Sequence, residues 1–432
     1  MSANLTIRQA QMVLPDRVVT GDLVIENGII VEVAPRAARP VGEEIHADGL
    51  VLLPGLIDGQ VHLGEPETET FLTGTRAAAA GGFTSILEMP RYTNGSDGLS
   101  TLLERRELAQ TSAIVHYGMY VLGTPDNIDK IHPSDGTCGV VIHPSNIGML
   151  ELGEKQLEDC LMRARVPVHF VAVDPKRLQE RHLLYPLTRN LADHHKIYDP
   201  RTASDALAVA IAVALSHGIP LHVLQVSSEE ELHLLARHEN PLISCSVSLF
   251  HLLFNDQTAA SQCGDRAHTV PPIRSERHQH ALLTGVLDGQ VQCLTSGHCP
   301  TALERKSAPY PDSEPGIPSI EWCLPLCLDL VNQGKMSLLD IQRLWCIGPS
   351  KWHNIKRKGR LEVGYDGDIV LVDLKASKTI HPQTTFTKCG WSPWEGKTVD
   401  GSVVLTAVLG QPVYRDGDVC NIAAGKALHY AT

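Results

Sequence analysis

Two residues near the start of the chain stand where a metal site would need a pair of imidazoles. The stretch PGLIDGQVHLGEP (54–66) has the pattern of a buried strand that leads into Gln60 and His62, two residues apart. Residues i and i+2 of a strand point to the same face, so a His-x-His pair here would hold one metal ion. The neutral amide of Gln60 is a poor zinc ligand beside an imidazole. The sequence therefore predicts the frame of a metal site without one of its ligands.

Other candidate site residues lie in or directly after later apolar runs, and these are the polar residues His143, His169, Gln225, His251 and His298 together with Gly297. The runs are short and rich in Val, Ile and Leu, as strands buried on both faces should be. Eight such runs alternate with helix-like stretches, at 51–58, 83–90, 114–122, 138–145, 167–174, 220–227, 242–250 and 291–298. Eight βα units over about 290 residues indicate a (β/α)8 TIM barrel, whose active site lies at the C-terminal ends of the strands. We therefore expect the polar residues to gather at that end.

Both ends of the chain look β-rich. Residues 22–33 alternate apolar and polar side chains about Asn27-Gly28, which is a strong signal for a type I′ hairpin. Residues 367–374 and 402–417 have the pattern of short strands. The α/β chain is therefore predicted to form a TIM barrel at 54–350 and a small composite β-sandwich domain made of 1–53 and 355–432.

Composition excludes several classes of function. The chain has 432 residues, 43% of them hydrophobic and 20% charged, and a net charge of −12. Such an acidic balance argues against binding to nucleic acid or to an anionic membrane. There is no apolar run of about 18 residues that would predict a transmembrane helix. The first residues lack the pattern of a signal peptide, and the eleven cysteines are scattered, so we expect a cytoplasmic protein.

Several motifs resemble those of the dihydroorotases, which belong to the amidohydrolase superfamily of metal-dependent cyclic-amide hydrolases. They are PGLIDGQVHLGEP (54–66), AAAAGGFTSILEMP (77–90), ADHHKIYDP (192–200), LHVLQVSSEEELHLL (221–235), HTVPPIRSERHQHALLTGVLDG (268–289) and KCGWSPWEG (388–396). The similarity runs in order from about residue 20 to about residue 418. It implies two zinc ions held by His-x-His after strand 1, a carboxylated Lys on strand 4, one His each on strands 5 and 6, and an Asp after strand 8. In the family a metal-bridging hydroxide attacks the ring amide while the Asp carries the proton.

Most of this machinery is replaced. The six positions that correspond in this chain are, in order, Gln60, His62, Val141, His169, Gln225 and Gly297. Only His62 and His169 keep the residue type of the family. Gly297 stands in place of the catalytic Asp, so no catalytic group is intact.

The residues that bind the substrate carboxylate in the family are altered as well. Gly64 stands in place of an Arg, Arg91 in place of an Asn, and Val270 in place of another Asn. Arg91 restores a positive charge near the mouth of the barrel, so that binding of an anion there stays open. The predicted pocket is therefore vestigial, made of the six family positions together with Gly64, Arg91 and Val270.

Three functions are consistent with this pattern. The leading hypothesis is an inactive dihydroorotase-like scaffold or regulatory protein of pyrimidine biosynthesis, a homo-oligomer that partners aspartate transcarbamoylase or an active dihydroorotase. The second is a cyclic-amide hydrolase of altered specificity with a single zinc held by His62, His169 and His143. The third is a small-anion binding protein that uses Arg91. Because catalytic zinc normally has three protein ligands, we expect no metal cofactor.

Overall fold

The computed structural model of the chain describes residues 3–64, 67–89, 99–132, 137–146, 150–151, 153–420 and 422–430. Its strands are β1 Leu5–Val13, β2 Val18–Glu26, β3 Ile29–Ala34, β4 Glu43–His46, β5 Val51–Pro54, β6 Leu56–Val61, β7 Phe83–Glu88, β8 His116–Leu122, β9 Gly139–Ile142, β10 Ser145–Asn146, β11 Leu150–Glu151, β12 Val168–Val171, β13 Leu221–Leu224, β14 Ile243–Ser248, β15 Cys293–Thr295, β16 Ile369–Thr379, β17 Thr398–Val408, β18 Gln411–Arg415 and β19 Asp418–Val419. Its α-helices are α1 Phe71–Ala80, α2 Leu102–Ser112, α3 Glu154–Arg163, α4 Pro175–Leu184, α5 His194–Ile197, α6 Pro200–His217, α7 Glu229–Arg237, α8 Leu249–Leu253, α9 Asp256–Cys263, α10 Glu276–Leu287, α11 Leu303–Lys306, α12 Cys323–Asn332, α13 Leu338–Gln342 and α14 Gly348–Trp352.

Both ends of the chain contribute to one sheet. Its strand order is β19-β18-β17-β16-β5-β1-β2-β3, and β4 pairs with β1 outside this path. The antiparallel pairing of β16 with β5 joins the two ends. Asn27 and Gly28, at the turn between β2 and β3, both have positive φ (54° and 81°), as a type I′ turn requires. The predicted hairpin and the composite terminal sheet are confirmed.

The terminal sheet encloses a single apolar core. Leu23 and Ile25 of β2 belong to the same buried cluster as Leu405 and Ala407 of β17. These two strands are four places apart in the strand order, so the sheet folds over to bring their apolar faces together. Burying this shared cluster removes apolar surface from water, which is the main force that holds the two ends of the chain in one sheet.

A second sheet contains the eight strands that the apolar runs predict. Its order, β15-β14-β13-β12-β9-β8-β7-β6, follows the order of the strands along the chain. The described pairings from β8 to β15 are all parallel. Helices follow most of these strands. An eight-stranded parallel sheet in chain order with alternating helices is the arrangement of a TIM barrel.

The chain divides into two compact units. The first comprises residues 1–87, 105–118 and 319–431 and contains the terminal sheet, β6 and the helices α12 to α14. The second comprises mainly residues 119–318 and contains β9, β12 to β15 and the helices α3 to α11. These units follow other boundaries than the predicted domains, whose limits at 53 and 350 stay predictions.

The helices of the described chain follow local signals. α6 begins after Asp199, whose side chain accepts a hydrogen bond from the backbone of Thr202, and Pro200 occupies its first position. It ends at Gly218, which has φ +67° in the left-handed conformation that favours glycine. Across the described ranges, we find no helix long and apolar enough to span a membrane.

Candidate functional site

The end of β6, in the first unit, carries Gln60 and His62. Gln60 is the fifth residue of β6 and is only 2% exposed, and His62 follows the last residue of the strand. The backbone N–H of Gln60 donates to Asp58 Oδ1 at 3.2 Å. The Gln60 Oε1 atom is buried and accepts no hydrogen bond from the residues that the structure describes. One amide and one imidazole therefore stand where a metal would need two imidazoles.

Gly64, in the same unit, lies where the resemblance implies a carboxylate-binding Arg. Its φ is +82°, in the left-handed region that side chains other than glycine rarely adopt. A Cβ atom at this position would lie 3.2 Å from Phe71 Cε2, so that the ring would have to give way. Arg91, a second residue of this group, lies outside the described residues. Restoring a side chain at position 64 would therefore meet both backbone strain and the edge of Phe71.

His169, in the second unit, lies deep in its strand. It is the second residue of β12 and has no exposed surface. Its ring packs edge-on against Tyr120 and His222, with centroids 4.8 Å and 5.6 Å away. Burial lowers the pKa of His169 to about 3, so the ring is neutral near pH 7. The prediction that His169 lies at the C-terminal end of its strand is wrong.

The pairing of β12 with β13 identifies the residue that does lie at that end. His169 is opposite His222, and Val171 is opposite Leu224. Gln225 directly follows Leu224, and continuing the register places Ala172 at the same level. The residue that would continue this pairing on the fifth strand, Ala172, carries only a methyl group, whereas His169 is paired with His222. The apolar run 167–174 predicted the strand correctly, but only the register distinguishes its two ends.

The end of β9 carries Val141 and His143. Val141 is fully buried and pairs with His169 of β12. Its aliphatic side chain offers no atom that could be carboxylated or bind a metal. His143 follows β9 and is partly buried, and desolvation lowers its pKa to about 4. His143 therefore contributes a neutral imidazole at the end of this strand.

Gln225 follows β13 directly, as the motif LQVS predicts. Its φ is +55°, which is uncommon for a residue with a long side chain. The next residue, Val226, donates its N–H to the Ser246 carbonyl at 2.9 Å, which extends the link between β13 and β14. Gln225 thus carries an amide at the end of this strand, where the resemblance implies an imidazole.

Gly297 follows β15 and has no room for a side chain. Its φ is +60°, and a Cβ atom would lie 2.7 Å from Ser248 Oγ and 2.8 Å from Phe250 Cε1. Phe250 is 3% exposed and belongs to α8, directly after β14. Cβ atoms essentially never approach other atoms so closely, since packed interiors hold few voids. Phe250 and Ser248 therefore fill the space that the family's catalytic Asp would need.

His251 and His298, two further histidines predicted near the barrel mouth, are buried. His251 Nε2 lies 3.3 Å from the carbonyl oxygen of Pro271, and burial lowers the pKa of His251 to about 3. The backbone N–H of His298 donates to Ser296 Oγ at 2.9 Å, and a β-bridge joins His298 to Ile317. Val270, in place of a substrate-binding Asn, is only partly buried and precedes a cis peptide bond to Pro271. These contacts are those of structural residues.

A buried charged network links the segments that follow β13 and β14, and the sequence reasoning missed it. Arg274, 5% exposed, donates from Nε to Ser227 Oγ at 3.1 Å and from Nη1 to the Tyr198 carbonyl at 2.9 Å. Glu231 Oε2 accepts from the Ser227 N–H at 3.1 Å and from Ser228 Oγ at 2.7 Å. Burial lowers the pKa of Arg274 and raises that of Glu231. The sequence did contain a signal for one part of this network. In SSEE (227–230), Ser228 is a residue type that favours the N-cap of a helix, and it caps α7 in the structure.

The donors on the described residues do not fit a two-zinc centre. No three of their His, Cys, Asp or Glu side chains come together in a way that could hold a metal ion. At the family's positions the amides of Gln60 and Gln225, the aliphatic Val141 and the bare Gly297 supply no imidazole or carboxylate. Zinc sites in proteins are built from such nitrogen, sulfur and carboxylate donors.

Sequence comparison identifies the relatives of the chain. Residues 51–413 match the profile of the amidohydrolase family. A dihydroorotase of Methanothermobacter thermautotrophicus is 29% identical over 418 residues, which cover 94% of this chain and 93% of that protein. A dihydroorotase of Pyrococcus furiosus is also 29% identical, with 98% of this chain and 95% of that protein covered. The resemblance predicted from the motifs is confirmed.

Solved structures share the fold over almost the entire chain. The L-hydantoinase (dihydropyrimidinase) of Arthrobacter aurescens superposes with a TM-score of 0.92 at 22% identity, covering 99% of both chains. The dihydropyrimidinase of Brevibacillus agri gives 0.89 at 24% identity, covering 98% of this chain and 97% of that one. The predicted TIM barrel with a second sheet from both termini is confirmed.

Proposed function

This chain belongs to the amidohydrolase family, and we propose that it is a dihydroorotase-like member without hydrolytic activity. Its role is that of a scaffold or regulatory partner linked to pyrimidine biosynthesis, and it acts as a homo-oligomer. The similarity to dihydroorotases over nearly the whole length supports the link to that pathway. Those relatives are named as enzymes, and the reasons against hydrolysis lie in this chain's own residues.

The observation that carries the proposal is the packing around Gly297. The family's reaction needs a carboxylate there to accept and return a proton. Phe250 and Ser248 occupy the space of its first carbon atom, so the loss goes beyond a single exchanged residue. Removal of a general acid–base group costs about 10²- to 10⁴-fold in rate.

We further propose that the chain holds no catalytic zinc. A bound metal lowers the pKa of water from about 15.7 to about 7, and hydrolysis in this family depends on that hydroxide. The alternative of a single-zinc hydrolase needs His169 as a ligand. The deep position of His169 in β12, against Tyr120 and His222, speaks against this alternative.

Two measurements on the purified chain test these proposals. Elemental analysis after purification without added zinc is expected to find far less than one zinc per chain. Dihydroorotate and carbamoyl aspartate should not interconvert above the uncatalysed rate, with an active dihydroorotase as the positive control. Stoichiometric zinc together with turnover would overturn the proposal of an inactive protein.

A protein partner is supported by an exposed apolar surface in the second unit. Leu183, Leu184 and Leu187, around the end of α4, are 75%, 66% and 83% exposed. Large apolar side chains that are this exposed and close in sequence are candidates for a protein interaction site. We propose aspartate transcarbamoylase as the partner that covers them, with an active dihydroorotase as the alternative.

Co-purification with point variants tests the proposed partner. The tagged chain is expected to retain aspartate transcarbamoylase from an extract that contains it. The variant Leu187→Asp should lose that enzyme, whereas Leu287→Asp, which changes a leucine 42% exposed at the end of α10, should retain it. A wild-type chain that always elutes without aspartate transcarbamoylase would contradict this assignment.

A further inference from the structure

A cavity of about 290 Å³ opens in the second unit between residues 190–195 and α9 with the segment that follows it. None of the six family positions lines it. Its floor is apolar and buried, and is made of Ala259, Ala267, Pro272 and Ile273. Its rim is exposed and includes Asn190, Ala192, Gln257 and Ala260. An apolar floor with a few polar groups at the edge is the general form of a small-molecule site, and the volume lies near the lower end of the usual range of about 300–1,000 Å³.

The one aromatic ring in the buried floor is that of His194, which is 3% exposed. Its Nε2 atom lies 2.9 Å from the Thr269 carbonyl oxygen, so Nε2 carries the proton. Its Nδ1 atom lies 3.1 Å from the hydroxyl of Tyr310, which therefore donates to it. Burial lowers the pKa of His194 to about 3. Because both ring nitrogens are engaged within the protein, His194 offers a ligand a neutral, apolar surface.

The charge of the cavity comes from two carboxylates. Asp256, at the start of α9, and Asp265 both line it, and none of its fourteen lining residues is a lysine or arginine. Asp256 Oδ1 accepts from the Gln257 N–H at 2.9 Å, and Asp265 Oδ2 accepts from the Tyr310 N–H at 3.2 Å. A carboxylate offers about four acceptor positions, so each can accept further hydrogen bonds from a ligand. The lining is therefore complementary to a cation.

We propose that this cavity is a binding site for a small organic cation, an ammonium group carried on an apolar body. Asp256 and Asp265 flank the two ends of α9, so the ammonium group donates to one of these two carboxylates, and the body packs on the alanines, Pro272 and Ile273 of the floor. Hydrogen bonds between an ionised donor and a carboxylate are about twice as strong as neutral ones, which selects a cation over a neutral molecule of the same shape.

Three probes of similar size separate charge from shape: benzylamine, benzyl alcohol and benzoate. Each is titrated into the full-length protein at about pH 7, and binding is followed by protein-observed NMR. Benzylamine is expected to bind saturably, benzyl alcohol at least tenfold more weakly, and benzoate not at all. Equal binding of the amine and the alcohol, or preferential binding of benzoate, would overturn the assignment to a cation.

Variants locate the binding. Ala260→Trp places an indole at the rim and should abolish benzylamine binding, whereas Ala208→Trp, on an exposed position of α6, should leave it unchanged. The double variant Asp256→Asn with Asp265→Asn should weaken benzylamine at least tenfold and leave benzyl alcohol within about twofold. Thermal melting of each variant establishes that it is folded. Benzylamine that binds Ala260→Trp as well as the wild type, or no saturable binding to the folded wild type, would overturn the proposal.

Discussion

Two glycines lie where the resemblance to the dihydroorotases implies functional side chains, one in each compact unit, and they differ in how closely their surroundings have packed. Gly64 follows β6 and Gly297 follows β15, and both have left-handed φ angles, +82° and +60°. A Cβ atom at position 64 would lie 3.2 Å from the edge of Phe71. At position 297 it would lie 2.8 Å from the ring of Phe250 and 2.7 Å from Ser248 Oγ.

This difference shows how easily each strand end could accommodate a side chain. Near Gly64 the contact is tight but involves only the far edge of one ring, which can shift by a few tenths of an ångström. Near Gly297 two side chains from the neighbouring strand end already fill the space. A side chain at the eighth strand end is therefore disfavoured by packing, while a side chain after the first strand is disfavoured mainly by backbone conformation.

The largest effect is expected for Gly297→Asp. Overpacking against Phe250 and Ser248, together with the left-handed backbone, should lower the free energy of unfolding by about 2–4 kcal/mol. Urea denaturation measures it. Gly289→Asp is the matched control, because Gly289 has φ +81° and no neighbour within 4 Å of a Cβ atom. If both variants cost the same, packing at Gly297 is not what excludes the side chain.

A smaller effect than that of Gly297→Asp is expected from His251, whose protonation should lower the stability of the protein in acid. The ring of His251 packs 4.4 Å from that of Phe250, and burial lowers the pKa of His251 to about 3 from its ordinary value of about 6.5. Between these values the unfolded chain binds a proton that the folded chain does not. Stability present above about pH 6.5 is therefore lost as the pH falls toward 3.

The variant His251→Gln tests this contribution. The slope of the unfolding free energy against pH should fall by at most about 1.4 kcal/mol per pH unit. Urea denaturation at about pH 7.5 and about pH 5 measures the slope in that window. The exposed His280 provides the control His280→Gln. An unchanged slope in His251→Gln would mean that this ring is charged in the folded protein.

A smaller effect is expected at Gly64. Gly64→Ala should cost about 1–2 kcal/mol, nearly all of it from the left-handed backbone. Gly390→Ala is the matched control in the same unit, since Gly390 has φ +66° and no neighbour within 4 Å of a Cβ atom. The two variants should agree within about 1 kcal/mol, because the Phe71 edge can shift. A much larger loss of stability for Gly64→Ala than for Gly390→Ala would show that packing excludes a side chain at both strand ends.

The smallest effect concerns zinc. Gln225→His together with Ala172→His places two imidazoles at the same level of neighbouring strands, and should create weak zinc binding that isothermal titration calorimetry detects. Gln225→His combined with the native His169 should bind no better than Gln225→His combined with His169→Asn, because His169 lies three residues deeper. Zinc binding that depends on His169 would show that residue 169, and not residue 172, lies beside position 225.

Much of the fold was predictable because its signals are local. Continuous apolar runs predicted all eight strands of the parallel sheet, and Asn27-Gly28 predicted the hairpin between β2 and β3. The Gly218 stop of α6 followed from the same kind of signal. Residue types at the site were also readable, because Gln60, Gln225 and Gly297 lack the chemistry of the groups they replace whatever their surroundings. The buried link between Arg274 and Ser227 was not predictable, because it joins segments 47 residues apart.

The sequence by itself therefore determined the elements and the residue types at the strand ends, because strand periodicity and side-chain chemistry are properties of a few consecutive residues. Tertiary structure alone decided that His169 is the second residue of β12 and lies opposite His222, because pairing between strands sets the register. It also decided that Phe250 and Ser248 fill the space beside Gly297. Close packing depends on side chains brought together from distant parts of the chain, and no local pattern records which of them will meet.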